Sequence, residues 1–206
     1  GNLVALQQTN PVRLLAYSSI SQAGFIIAPL AVSGITGNYQ DGIFASVTYL
    51  IIYAFMNIGA FLSVHLFTNF TKSDNFYEWG GIAKHSPLTG VLTTVFFFSL
   101  AGIPPLGGWF AKFVVFRSLL STGEIIGVSL AIVGAINAVI ALVYYARISK
   151  VIWMDELKNP EEEKSFEFQS PLKVVGALTV LITFVAGIFP GIFSYLGEVS
   201  SIFFGN

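Results

Sequence analysis

Residues Ser99–Phe113 read SLAGIPPLGGWFAKF, and the fold class turns on them. A mainly apolar run from Leu88 to Leu100 is interrupted by Gly102, Pro104, Pro105, Gly107 and Gly108. It resumes at Trp109, carries one cation at Lys112, and ends near Leu120. The whole stretch exceeds the roughly 20 residues that a straight bilayer span needs. A prolyl pair cannot donate two backbone hydrogen bonds and clashes with the preceding turn, so the pattern predicts a helix broken at Gly102–Gly108. Backbone groups freed at membrane depth survive only when protein or a water-lined cavity satisfies them. A lysine beside such a break is costly in lipid and reads as a functional group. The plainer reading is a cation that reaches the membrane surface along its alkyl stem. A position many residues from either end of the span speaks against that.

Composition agrees with a membrane setting. The chain has 206 residues, of which 54% are hydrophobic and 10% charged, and its mean hydropathy is +0.76. Soluble domains carry roughly 25% charged residues. A net charge of −1 gives no sign of nucleic acid or acidic substrates as partners. With no cysteine, disulfides, thiolate metal sites and iron–sulfur clusters are excluded from this chain. His65 and His85 are too far apart in sequence to suggest a metal site. The chain opens GNLVALQQTNPVRLL, without Met or a charged leader, and reads as the interior of a longer polypeptide.

The expected fold is an all-α integral membrane bundle of five spans, at about 14–32, 43–67, 88–120 (broken), 125–148 and 172–196. Thr9, Asn10 and Pro11 supply the cap of the first. That span holds a polar cluster in which Ser18 and Gln22, four apart, share a face. Such groups usually serve packing and interhelical hydrogen bonds, with lining of a hydrated path as the second reading. The second span carries Tyr49, Tyr53, Asn57 and, near its far end, His65. A lone histidine there reads first as an interfacial residue and only weakly as a proton relay. Asn69–Ser86 is a polar connection whose Tyr77 and Trp79 suit the membrane surface. The fourth span holds Asn137, Tyr144 and Tyr145, and the fifth has Pro190 and Gly191 near its end. Between them lies a charged loop with Glu161, Glu162 and Glu163, whose plain reading is a solvated face.

Eight of the ten Lys and Arg residues fall on one side if five spans alternate: Arg13, Lys72, Lys84, Arg147, Lys150, Lys158, Lys164 and Lys173. The positive-inside rule makes that side cytoplasmic, with loops 69–86 and 149–173, and puts the C-terminus on the other side. Lys112 itself sits early in the second half-helix, whose positive dipole end disfavours a cation, as burial also does. No carboxylate in these spans is an obvious partner for it. Half-helix ends exposed by a break are a recurrent way to build ion sites in transporters.

Three stretches in order, QTNPVRLLAYSSISQAGF, TYLIIYAFMNIGAF and SLAGIPPLGGWFAKF, resemble the antiporter-like membrane subunits of respiratory complex I. The similarity is closest to the branch of NADH–quinone oxidoreductase subunit N with its chloroplast and cyanobacterial counterparts. It covers essentially the whole chain and implies the last five of fourteen membrane helices. It implies that Lys112 matches the family's proton-carrying lysine, where the sister subunit M typically has glutamate. It implies other membrane subunits of the complex and the lipid bilayer as partners, in a cell (inner) membrane, with no nucleic acid. No cofactor is expected in this chain, because flavin, iron–sulfur clusters and quinone belong to partner subunits. Val12-Arg13 departs from the family's Lys-Arg, so any role of that pair falls on Arg13. A subunit of a multi-subunit cation/proton antiporter shares this helix architecture and is the alternative.

Overall fold

The computed structural model describes residues 1–156 and 170–204, with the side chains of 170–173 left aside. All regular structure among them is helical. A short α1 (Asn2–Ala5) leads into α2 (Pro11–Thr36), opened by the Asn10 side chain, which accepts a bond from the Arg13 N–H at 3.0 Å. Asn10 and Pro11 are thus the cap and first turn that the sequence indicates. Gly37, at φ +77°, ends α2 in the left-handed region. Next comes α3 (Tyr39–Thr71), whose 33 residues make a rod of about 50 Å. It is the axis of the bundle, with α2, α5 (Pro87–Ala101), α6 (Gly107–Ser121), α8 (Ser170–Ile188) and α9 (Gly191–Phe204) packed around it. The remaining long helix, α7 (Ile125–Met154), leans on α5, α6 and α2 and leaves Ile132, Val133, Ile136 and Val139 exposed. These helices are apolar on nearly every face, as membrane helices are.

The helices α2, α3 and α7 are each long and apolar enough to cross a membrane. The stretch read as a fifth span over 172–196 is two helices, α8 and α9, bent by 82° at Phe189–Pro190. Proline cannot continue the ladder of α8, and Gly191 leaves the chain free to turn. As one element the pair makes a fourth candidate span. The helices α5 and α6 have 15 residues each, about 22 Å, short of the roughly 30 Å of hydrocarbon.

Two connections differ from the sequence reading. Asn69–Ser86 contains a 3₁₀ turn (Phe76–Trp79) and α4 (Ile82–His85), and Trp79 is fully buried rather than interfacial. Its ring meets Phe67 edge-on at 5.3 Å, so a loop residue closes the end of the bundle; Tyr77 does stay exposed. The connection read from 149 instead begins as helix, because α7 runs on to Met154 and buries Val151 and Ile152. Most of that charged loop, including Glu161–Glu163, lies outside the described residues.

Candidate functional site: a lysine closing a helix break

The helix α5 stops because Gly102 adopts φ +96°, a conformation that residues with a Cβ avoid. Gly102 N–H donates to the Ser99 and Phe98 carbonyls at 2.9 and 3.0 Å, and Ile103 N–H donates to Phe98 at 3.0 Å. This Schellman closure satisfies two of the last four carbonyls of the helix and leaves Leu100 and Ala101 open. The chain then passes through a cis Pro104–Pro105 bond and restarts as α6 at Gly107. The Ser99 Oγ accepts from Gly108 N–H at 3.1 Å and so ties the new helix to the end of the old one. A Cβ on Gly108 would overlap the Ser99 carbonyl, so glycine is required at that approach.

Lys112 lies in the second turn of α6, and its side chain reaches back across the break. Nζ donates to the Leu100 and Ala101 carbonyls, both at 2.7 Å. These are the two acceptors that the closure leaves over, so all four terminal carbonyls of α5 are satisfied. Hydrogen bonds from a charged donor contribute about 1.5–3 kcal/mol each. The field on the amine also differs from the one expected from α6 alone. The ammonium sits at the carbonyl end of α5, whose partial negative charge favours a cation. Lys112 is 5% exposed, and its Nζ lies over the Phe25 ring, 5.4 Å from the centroid. Its partners are backbone carbonyls, which require no neighbouring carboxylate.

Of the polar residues singled out in sequence, Gln22 and Tyr49 join this group directly. Gln22 Nε2 donates to the Leu100 carbonyl at 3.2 Å, and its Oε1 accepts from Tyr49 OH at 2.5 Å. Ser18 lies one turn along α2 and hydrogen-bonds Tyr145 OH. Tyr53 is held apart, donating to Ser19 Oγ at 2.8 Å. Asn57 is half-buried and makes none of these bonds. His65 is exposed and bonds Asn69 at 2.8 Å, 13 residues along α3 from Ile52, or about 20 Å. Ile52 packs beside Gly107, so His65 is well removed from the break. Pro104 and Pro105 are exposed, whereas Gly107 and Gly108 are buried.

Sequence reasoning missed the tyrosine pair as part of a polar file. Tyr145 is fully buried against Ser18, and Tyr144 OH donates to Asn2 Oδ1 at 3.0 Å. Asn2 Nδ2 in turn donates to the Asn137 carbonyl at 2.8 Å. The available signal was spacing, since Asn137 and Tyr144 are seven apart and share a face of α7. No group of three or more metal-ligating side chains occurs among the described residues.

A sequence profile described as NADH:quinone oxidoreductase/Mrp antiporter, transmembrane, matches residues 1–140. NADH-quinone oxidoreductase subunit N of Moorella thermoacetica is 38% identical over 190 residues, which is 92% of this chain and 38% of that relative. The chain therefore spans well under half the length of such relatives. Respiratory complex I from Thermus thermophilus contains a chain that superposes with a TM-score of 0.66 at 25% identity, over 94% of this chain and 42% of that one. The Mrp complex from Dietzia gives 0.81 at 20% identity, over 97% and 44%, a likeness of fold. A profile match over two-thirds of its length, with Lys112 inside it, places the chain in the NADH:quinone oxidoreductase/Mrp antiporter family of membrane proteins.

Proposed function

We propose that this chain is part of a proton-translocating membrane subunit of an NADH–quinone oxidoreductase, in which Lys112 takes up and releases the proton. In this reading α5 and α6 together are one broken span, the third of five, with α8 and α9 forming the fifth. The observation that carries it is a buried lysine whose amine is held by the carbonyls of a helix break. An amine so placed can exchange its proton, which a guanidinium at the same place could not do at accessible pH. Gln22 and Tyr49 orient the group through the Leu100 carbonyl, while Ser18, Tyr145, Tyr144 and Asn2 offer a polar file away from it. Tyr53 and Asn57 are weaker candidates for positioning water. His65 and Arg13 are assigned no step.

Lys72, Lys84 and Arg147 support a cytoplasmic side for loops 69–86 and 149–173, with the C-terminus opposite, in a multi-pass inner membrane. Redox chemistry on flavin, iron–sulfur clusters and quinone belongs to partner subunits, and the other membrane subunits are the contacts of this chain. Relatives named as subunit N at 38% identity favour this reading over a multi-subunit cation/proton antiporter. The antiporter remains a second reading because the Dietzia Mrp chain superposes so well. Copurifying flavin and iron–sulfur clusters would decide for the oxidoreductase.

The test is proton translocation by assembled complex in proteoliposomes carrying Lys112→Ala or Lys112→Arg. Both variants are expected to lose translocation, the arginine despite its charge. Full translocation by an assembled Lys112→Arg complex would overturn the proposal.

A further inference from the structure

At the end of the bundle opposite the Asn69–Ser86 connection, α2, α3 and α6 enclose a narrow crevice. Pro29, Ser33 and Thr36 of α2, Asp41 of α3 and Ser118 of α6 are among its walls. The three helices pack directly on one another, so these walls are formed by contacts within the chain itself. Gly42 makes room for the Ser33 hydroxyl, since a Cβ there would stand 2.5 Å from Ser33 Oγ and 2.9 Å from the Pro29 carbonyl. Pro29 is the innermost of the α2 walls. It lies four residues, or about 6 Å, along α2 from Phe25, whose ring centroid is 5.4 Å from Lys112 Nζ. The crevice therefore points from the outer end of the bundle toward the amine.

Asp41 stands at its outer end. Asp41 Oδ2 accepts from Ser121 Oγ at 3.1 Å, and the Asp41 carbonyl accepts from Ser118 Oγ at 3.4 Å. Both serines belong to α6, the half-helix that carries Lys112. Asp41 also lines a wider outer cleft with Asn38, Gln40, Arg117, Glu198 and Ser201. It is the ionisable residue common to crevice and cleft, whereas Arg117 and Glu198 line the cleft alone. Two polar groups lie between the levels of Asp41 and the amine. Ser46 shares the strip of α3 that faces α2, on which Gly42 meets Ser33 and Tyr49 bonds Gln22. Ser46 is 4% exposed, and its Oγ has no hydrogen-bond partner among the described residues, an exception for a buried hydroxyl. The other is the Phe25 carbonyl, to which Pro29 has no N–H to give.

We propose that Asp41 is the carboxylate through which Lys112 exchanges protons with the side of the membrane opposite loop 69–86, along the seam of α2, α3 and α6. The proposal deepens the reading of Lys112 as a proton carrier and rests on it. In the outward step the ammonium gives up one proton and becomes a neutral amine. The proton passes over the hydroxyls of the seam and the waters they bind, and ends on Asp41. Ser121 holds Oδ2, which leaves Oδ1 to take the proton and become a carboxylic acid. Release from Oδ1 to water in the cleft restores the carboxylate. Uptake from that side runs through the same steps in reverse.

The experiment uses assembled complex in proteoliposomes, with translocation normalised to the amount of complex and thermal unfolding recorded beside it. Asp41→Asn keeps the shape of the side chain and an acceptor for Ser121 while removing the carboxylate. Translocation is expected to fall several-fold with the unfolding temperature unchanged, a pattern that a merely structural contact would not give. Asp41→Glu restores a carboxylate and should recover most of the rate. Ser121→Ala keeps the carboxylate and Glu198→Gln alters the cleft alone, so both should translocate like the wild type. Wild-type translocation in an assembled Asp41→Asn complex would overturn the proposal. So would a Glu variant no better than the Asn variant, or an equal loss in Ser121→Ala or Glu198→Gln. If Asp41→Asn does not assemble, Ser118→Val narrows the crevice and leaves the carboxylate in place. Translocation should then fall, and a wild-type rate in that variant would overturn the route. Lys112→Ala alone separates the two ideas. Translocation in that variant sinks the carrier reading itself, whereas its loss leaves Asp41 to be judged on its own variants.

Discussion

Among the described residues the helical path is interrupted between α5 and α6, at Gly102–Leu106, and between α8 and α9, at Phe189–Pro190, and the two interruptions are met in different ways. The first is sealed by a side chain from the far half-helix, with Lys112 supplying donors to the Leu100 and Ala101 carbonyls. At the second the backbone bonds are local ones on either side of Pro190. Phe189 N–H donates to Val185, and the Pro190 carbonyl accepts from Phe193 and Ser194 at 3.0 Å. Its corner residues Ile188, Phe189 and Ile192 are apolar and exposed. A proline–glycine break is therefore not in itself a site. It becomes one where the backbone groups it strands converge with a group of opposite polarity. The breaks also touch, since a Cβ on Gly187 at the end of α8 would overlap the Pro105 carbonyl and crowd Leu106.

The largest effect should separate the breaks outright. Lys112→Ala leaves the Leu100 carbonyl with Gln22 alone and the Ala101 carbonyl without its donor, a stranded buried acceptor costing about 1–3 kcal/mol. Phe189→Ala at the exposed corner should stay within about 0.5 kcal/mol. Thermal unfolding of the detergent-solubilised complex compares them. Equal losses would mean that the lysine closes nothing the second corner does not also close.

Gly187→Ala tests whether the second break holds the first in place. The added methyl has backbone in its way and no flexible side chain to displace, so overpacking of about 1–3 kcal/mol is expected. Translocation should fall with it, because the Pro105–Leu106 segment sets where α6 begins and hence where Lys112 reaches. Gly191→Ala is the control, since a Cβ there meets nothing within 4 Å. If both alanines behave alike, the contact between the breaks carries no strain.

The contrast also explains what could be read from the letters alone. Pro104, Pro105 and their flanking glycines announce a break because each acts through its own backbone, and a lone lysine in an apolar run is visible as a charge. What closes the break is not visible. The acceptors are main-chain carbonyls 11 and 12 residues away from Lys112, and a carbonyl has no letter. Phe25 is one of 20 phenylalanines, and only tertiary packing sets it beside the amine. Trp79 looked interfacial because local composition cannot show that α3 and α7 will both pack on the turn that carries it. The sharp bend at Pro190 was hidden for a related reason, since proline marks an interruption and its neighbours set the angle.

A smaller effect on translocation is expected at Gln22. Gln22→Leu removes the second donor to the Leu100 carbonyl, which keeps Lys112, and removes the acceptor for Tyr49 OH. The loss should be about 1–3 kcal/mol, because the buried Tyr49 hydroxyl is left without its acceptor while the Leu100 carbonyl keeps Lys112. Translocation should be slowed and not abolished, measured as the initial rate of acidification in the same proteoliposomes. A loss as complete as that of Lys112→Ala would show that the break has two indispensable groups.

The smallest effect is expected from Pro190→Ala, and it bears hardest on the comparison. Alanine restores an N–H that could bond the Ala186 carbonyl and lengthen α8 by a turn. To do so α9 would have to swing through its 82° bend, and α9 is anchored on α3. Phe193, Gly197 and Ser201 are buried, and Gly197 sits so close to Phe44 and Thr48 that a Cβ would not fit. The corner therefore persists without its proline, and the carbonyl of residue 190 still accepts from Phe193 and Ser194. Stability should change by no more than about 0.5 kcal/mol, as for a surface substitution that disturbs no core contact. Proton translocation should match the wild type, because the second break offers no donor or acceptor to Lys112. Translocation lost in an assembled and stable Pro190→Ala complex would show the two breaks working as one element, with Lys112 as only half of its closure.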